Sequence, residues 1–237
     1  MVGGRAGSGR SPLELSRQAR AVSRALTRAY PEARCDLVYR SPWELLVATV
    51  LSAQSTDAQV NRITPALFAA LPTARAMAVA ARRRLEDLVR SAGMFRRKAE
   101  VLQRLAERVE ADHGGEVPRT LDALTRLPGV GRKTANVVLG NAFGRPAITV
   151  DTHVGRLARR IGLTRQQDPD RVEQELTALL PPSAWTPFSH RMIAHGRRVC
   201  LARRPRCASC ALASLCCRVG VDCSPPGRAP PDRPLCS

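Results

Sequence analysis

Between Leu121 and His153 the chain reads LDALTRLPGVGRKTANVVLGNAFGRPAITVDTH, and the Pro-Gly-Val-Gly inside it limits what this stretch can become. An apolar helix from Leu121 to Leu127 must stop at Pro128-Gly129-Val130-Gly131, because proline and glycine both break helical continuity. A second helix restarts after Gly131 and runs to about Phe143. Gly129 and Gly131 permit positive φ and the close approach of another backbone. Two helices joined this tightly form a helix–hairpin–helix. Its turn aims backbone N–H groups outward from a helix N-terminus, which suits a phosphate.

Lys133 falls in the first turn of the second helix. The positive end of the helix dipole disfavours an ammonium there, and the neutral amine is a nucleophile for carbonyl-type carbon. Of 38 Lys and Arg residues only Lys98 and Lys133 are lysines. A chain that writes Arg nearly everywhere keeps Lys where guanidinium would fail, and Arg cannot form a Schiff base. A surface lysine that binds phosphate beside the hairpin fits the same spacing, so both roles stand at this point. Asp151 follows 18 residues later. Gly144 and Pro146 end the helix, Ile148-Thr149-Val150 is β-branched and extended, and Asp151-Thr152 has the form of an N-cap before HVGRLARRIG. The chain can therefore turn back and bring Asp151 near Lys133. An N-cap alone also explains an Asp here, and the two roles are compatible.

The formal charge of +18 points to a polyanionic partner, although an Arg-rich surface from a biased genome accounts for part of it. Aromatics are only 3%, which disfavours the stacking platforms of single-strand binders. No apolar run is long enough to span a bilayer, and MVGGRAGSGRSP lacks the apolar segment of a secretory signal. A cytoplasmic, nucleoid-associated protein is expected, with no membrane partner.

Cys200, Cys207, Cys210 and Cys216 have the spacing C-x6-C-x2-C-x5-C. Without a secretory signal this does not read as a disulfide framework. Four thiolates suit either zinc or an iron–sulfur cluster, and spacing alone leaves both open. Cys217 stands next to the last of the four as a competing ligand. The sequence assigns no role to Cys35, Cys223 and Cys236. His190 and His195, five apart on a helix, lack the spacing of a metal pair and read as packing or hydrogen-bonded histidines.

Elsewhere, local chemistry places the helices. One runs from about Pro12 to Tyr30. Ser41-Pro42-Trp43-Glu44 has the form of a capping box before the apolar core helix LLVATVLSA. That helix ends at Gln54-Ser55-Thr56-Asp57, where Thr56 or Asp57 caps the next. Ser91 to Phe95 is a break, and Arg96-Arg97-Lys98 opens a long helix to about His113, with all three cations placed for phosphate or water. Asp168-Pro169 starts a further helix, and a last one runs from Ala184 to about Leu201.

LPGVGRKTANVVLGNAFG followed by TVDTHVGRLARR closely resembles the endonuclease III family, which are helix–hairpin–helix DNA glycosylases and abasic-site lyases. The resemblance covers roughly residues 13–217. It implies Lys133 as the Schiff-base nucleophile and Asp151 as its acid/base partner. It implies DNA contacts from the hairpin residues Pro128, Gly129, Val130, Gly131 and Arg132. LSAQSTDAQVNRIT matches the family segment whose Gln, here Gln54, enters the gap left by a flipped nucleotide. The family's bulky apolar wedge, usually Leu, falls on Met94, a substitution that Met's length and adaptability permit; a core residue under a loop fits the same position. The four cysteines resemble the family's [4Fe–4S] loop.

The fold implied is all-α, with two helical domains and a DNA cleft between them. A disordered start (1–11) precedes an N-terminal helix (12–34) that packs with the cluster domain. A helical barrel (35–147) carries the hairpin at 121–143. The cluster domain is 148–217, and a Pro-rich tail is 218–237. The partner implied is double-stranded DNA with damaged pyrimidines or abasic sites, bound by a monomer. Three other readings carry weight. A binding-only hairpin protein would leave lesions intact. An adenine glycosylase of the same fold normally lacks this lysine. A ferredoxin-like carrier would be smaller and acidic.

Overall fold

A computed structural model describes residues 10–221. Described residues form eleven α-helices and three short 3-10 turns, with no strand among them. The helices are α1 (Pro12–Ala29), α2 (Pro42–Leu51), α3 (Asp57–Ala70), α4 (Ala74–Ala78), α5 (Arg82–Leu88), α6 (Phe95–His113), α7 (Leu121–Thr125), α8 (Arg132–Ala142), α9 (Thr152–Ile161), α10 (Pro169–Leu179) and α11 (Trp185–Arg198). None is long and apolar enough to cross a membrane. The chain divides into two compact units. One takes the middle, from Cys35 to Ala147, and the other takes both flanks.

Helix starts follow side-chain chemistry. Thr56, Thr73, Thr120 and Asp168 each accept a bond from an N–H of the turn they cap, which satisfies an otherwise orphaned donor. Ser41 caps α2 through the Glu44 amide. The returning Glu44 carboxylate does not complete the expected box; it takes the Arg40 N–H at 2.6 Å instead. A full capping box sits earlier, at Ser11 and Glu14. Ser11 and Arg10 belong to the stretch expected to be the disordered start. The Arg10 guanidinium donates to Gln18 Oε1 and to the Gly162 carbonyl. Residues 1–9 and the tail from 222 lie outside the described residues.

In the middle unit α2 is the core helix, with eight of its ten residues buried. It packs against α8, while α4 and α5 lie on α6. A helix this apolar on every side stays folded only when surrounded, and it shares one core with Leu67, Met77, Leu85, Leu102 and Leu105. In the flanking unit α1, α9, α10 and α11 bury one stripe each, including Val22, Leu26, Leu157, Ile161, Leu176, Phe188 and Met192. Residues 144–150 carry no regular structure. The Thr149 N–H in that segment is held by Ser189 Oγ of α11 at 3.0 Å.

Candidate active site and cysteine loop

The hairpin between α7 and α8 is built on one glycine, not two. Gly129 has φ +75°, and a Cβ there would collide with Val101 of α6. Gly131 has φ −86° and ψ 174°, ordinary extended backbone, and a Cβ there meets nothing within 4 Å. Of the two glycines that permit positive φ, only Gly129 uses it; Gly131 serves as the N-cap of α8 and leaves open space in front of it. It supplies no capping side chain, so the first turn of α8 has no side-chain cap. Val130 is buried at 5% exposure, and its N–H goes to the Leu127 carbonyl. It anchors the turn from beneath. Pro128 and Arg132 are half-buried; Gly129 and Lys133 are exposed.

Lys133 is the second residue of α8, in the turn where the helix dipole is positive. Asp151 is the N-cap of α9. Its Oδ1 accepts the Val154 N–H at 2.8 Å, which fixes the carboxylate's orientation. Lys133 belongs to the middle unit and Asp151 to the flanking one.

Gln54 and Met94 are exposed loop tips with an unusual backbone. Gln54 has φ +55° and Met94 φ +44°; among the described residues the only other non-glycine with positive φ is Arg218. Left-handed backbone at a long side chain is strained and clusters at functional sites. Met94 keeps 50% of its surface in solvent, so it is not a core residue under a loop. Arg96 and Arg97 are exposed, but Lys98 is not. It is 6% exposed, and its ammonium donates to Ser55 Oγ and to the Ala92 carbonyl, each at 2.7 Å. The expectation that all three cations meet phosphate or water fails for Lys98, because its stem runs inward from the first turn of α6.

The cysteines wall a single cavity. Cys200, Cys207, Cys210 and Cys216 line it together with Leu157, Ile161, His195 and Leu212. Among the described residues no three His, Cys, Asp or Glu side chains come together as a ready-made metal site. The donor set still suits a thiolate-bound cluster. Cys200 Sγ faces the Arg160 guanidinium at 3.4 Å, Cys210 Sγ the Leu212 N–H at 3.4 Å, and Cys216 Sγ the Arg218 N–H at 3.4 Å. Hydrogen bonds of this kind stabilise sulfur that carries negative charge. Burial pushes the Cys216 thiol up, so a bound cation would be needed to keep it ionised.

Two arginines of α9, which sequence reasoning passed over, brace this loop. Arg160 donates to the Leu201 and Ala202 carbonyls, both at 2.7 Å. Arg156 donates to the carbonyls of Gly196 (3.1 Å) and Cys200 (2.9 Å). Gln18 of α1 adds a bond to the Leu215 carbonyl at 2.7 Å. Burial drives the His195 imidazole down to about 4, so it is neutral near pH 7. Its Nδ1 lies 2.9 Å from Tyr30 Oη and its Nε2 3.4 Å from Cys210 Sγ. With Tyr30 donating to Nδ1, the single ring proton sits on Nε2 and points at the sulfur. His195 is therefore hydrogen-bonded, as expected for it. The Arg197, Arg198, Arg203, Arg204 and Arg206 side chains around the loop are exposed.

Among the described residues the chain is all-helical and carries a glycine-built hairpin with a lysine in the first turn that follows, an arrangement of the helix–hairpin–helix class of DNA repair proteins. Residues 47–182 match the HhH-GPD superfamily of base excision DNA repair proteins. The chain is 51% identical over 192 residues to endonuclease III of Synechocystis sp., covering 81% of this chain and 88% of that one. It also matches two solved structures at 45% identity. A non-covalent endonuclease III–DNA complex superposes with TM-score 0.81, covering 86% of this chain and 95% of that one. A trapped endonuclease III–DNA covalent intermediate with an estranged adenine superposes with TM-score 0.82, covering 86% and 96%. The chain belongs to the endonuclease III family, whose members are base excision DNA glycosylases with lyase activity.

Proposed function

We infer that this enzyme removes oxidised pyrimidines from duplex DNA and then cleaves the strand 3′ to the lesion. Lys133 carries the reading. It is one of two lysines in the chain, and it is exposed on the first turn of a helix whose N-cap leaves open space. A base inside a duplex is out of reach, so the nucleotide is extruded first, and a weakly paired damaged base costs least to extrude. The Lys133 amine attacks C1′ and the C1′–N bond to the base breaks. Asp151 moves the proton and stabilises positive charge that develops on the sugar. The lysine nitrogen then expels O4′ from C1′, which takes up a proton as the sugar ring opens, and the resulting iminium acidifies the C2′ proton. Its removal expels the 3′ phosphate, and the Schiff base then hydrolyses to release the amine.

In this reading the Lys133 and Asp151 side chains act on a single sugar. The hairpin residues Pro128 to Arg132 hold the flanking phosphates through backbone N–H groups. Gln54 and Met94 fill the space vacated in the stack. Cys200, Cys207, Cys210 and Cys216 hold a [4Fe–4S] cluster, which when bound cross-links the Arg-rich loop. The exposed arginines of that loop then meet the DNA backbone as a preformed basic surface. The protein acts as a monomer on duplexes that contain damaged pyrimidines or abasic sites.

Borohydride trapping on a duplex with an abasic site or an oxidised pyrimidine tests the chemistry. The expected result is a covalent adduct that Lys133→Ala abolishes. Tight binding without an adduct would instead favour a binding-only hairpin protein. Iron content decides the metal: brown protein with iron supports the cluster, and colourless protein with zinc overturns it.

A further inference from the structure

The second lysine of the chain has a different task from the first. Lys98 lies in the first turn of α6, and its ammonium is buried between two neutral acceptors, Ser55 Oγ and the Ala92 carbonyl. Ser55 Oγ itself donates to the same carbonyl at 2.6 Å, which closes a triangle of bonds. Gln59 Nε2 reaches the neighbouring Ser91 carbonyl at 3.2 Å. These bonds join two loops that are far apart in sequence, the one after α2 and the one before α6. Each loop ends in a strained, exposed tip. Gln54 is adjacent to Ser55, and Met94 lies two residues beyond Ala92.

A non-glycine residue keeps a left-handed backbone only where its neighbours over-determine it. The Lys98 triangle is that constraint, and it acts on both tips at once. Burying an ammonium is costly, and burial holds this one below the ordinary lysine range. An apolar residue would pack here at less cost but would leave the Ala92 carbonyl and the Ser55 hydroxyl without this partner. A guanidinium is a wide planar fork, while an ammonium is a compact point with three donors, which explains a lysine in a chain that otherwise uses arginine.

We propose that Lys98 is a positioning residue that locks the Gln54 and Met94 tips into one rigid two-pronged wedge for entry into the base stack. The proposal rests on duplex DNA being the ligand, as inferred above. It predicts a defect confined to substrates that have a stack to enter.

The test uses Lys98→Met, which keeps the length of the stem and removes the donors. The first probe is a duplex with a tetrahydrofuran abasic analogue opposite 2-aminopurine. Saturating wild-type protein should unstack the fluorophore and raise its emission, and K98M should give less than a third of that rise. The second readout is abasic-site cleavage. K98M should fall at least tenfold on duplex DNA yet stay within twofold of wild type on a single strand. Lys98→Arg should not rescue either readout.

Should K98M fail to fold, Ser55→Ala removes one vertex of the triangle and should show the same duplex-selective loss at smaller size. An equal fluorescence rise, or equal losses on duplex and single strand, overturns the wedge role. The fluorescence arm needs no chemistry. A wild-type protein that unstacks the probe but forms no borohydride adduct would sink the lyase reading and leave the wedge standing.

Discussion

Gly129 lies so close to Val101 that no side chain fits between them, and its backbone is in the left-handed region at φ +75°. Gly131, two residues on, has neither constraint. Two glycines of one motif are therefore required for different reasons. Gly129→Ala should destabilise the middle unit by about 1–3 kcal/mol, through backbone strain and the clash on α6. Gly131→Ala should cost only ~0.5 kcal/mol for a poorer N-cap, yet weaken binding to abasic-site duplex at least tenfold. Thermal melts beside fluorescence anisotropy separate the two. Unchanged affinity in G131A would show that nothing approaches the backbone there.

Asp151 has a structural task and a proposed chemical one, and substitution can divide them. Asn caps a helix about as well as Asp, so Asp151→Asn should melt near wild type. Its trapped adduct should form about 10²–10⁴-fold more slowly, the usual size of a lost acid/base group. Asp151→Ala should lose the cap as well, at about 1 kcal/mol. If D151N turned over at the wild-type rate, the carboxylate would be a cap and nothing more.

Arg160 holds the cysteine loop by two carbonyls and faces the Cys200 sulfur. Arg160→Met keeps the stem and removes these bonds, each charge-assisted. We expect about 2 kcal/mol of lost loop stability and a purified protein with less than half the wild-type iron per chain. Iron analysis and melting temperature together check this. Full iron with an unchanged melt would show that the loop holds without its brace.

Lys98 makes stability depend on pH in a definite direction. Its folded-state affinity for a proton is lowered by burial, so between that value and the ordinary 10.5 the unfolded chain binds more protons than the folded one. Stability therefore rises with pH through that window. The penalty is fully present below it and relieved above it, and a neutral amine still has two N–H donors for Ser55 and Ala92. The melting temperature of wild type minus that of K98M should increase from pH 7.5 toward pH 10. A difference that is flat or falls with pH contradicts the burial of a charged amine.

What could be read from sequence was local. The caps at Thr56, Asp151 and Asp168 each follow from one side chain and the next few N–H groups, and the apolar α2 announces its burial by composition. The hairpin is legible for the same reason, as is the four-cysteine spacing. Contacts between distant segments were not legible. Lys98 follows two arginines and looks like a third surface cation, and only its meeting with Ser55, 43 residues away, reveals otherwise. Arg156 and Arg160 sit among arginines of no evident distinction until Gly196, Cys200 and Leu201 fold against them. The returning half of the Ser41 box was misread because the Glu44 carboxylate accepts from the Arg40 N–H, one residue before the cap. Positive φ at Gln54 and Met94 had no sequence signal at all, since neither residue type favours it.

The near-absence of lysine has a practical corollary. One side-chain amine is sealed in the interior, and the other, Lys133, stands open on the surface. Acylating dyes, biotin esters and reductive methylation reagents therefore meet a single accessible side chain of their preferred kind in the whole molecule. A fluorophore or an isotopic methyl pair placed there would label the amine proposed as the nucleophile, without mutagenesis, and bound DNA should shield it from modification.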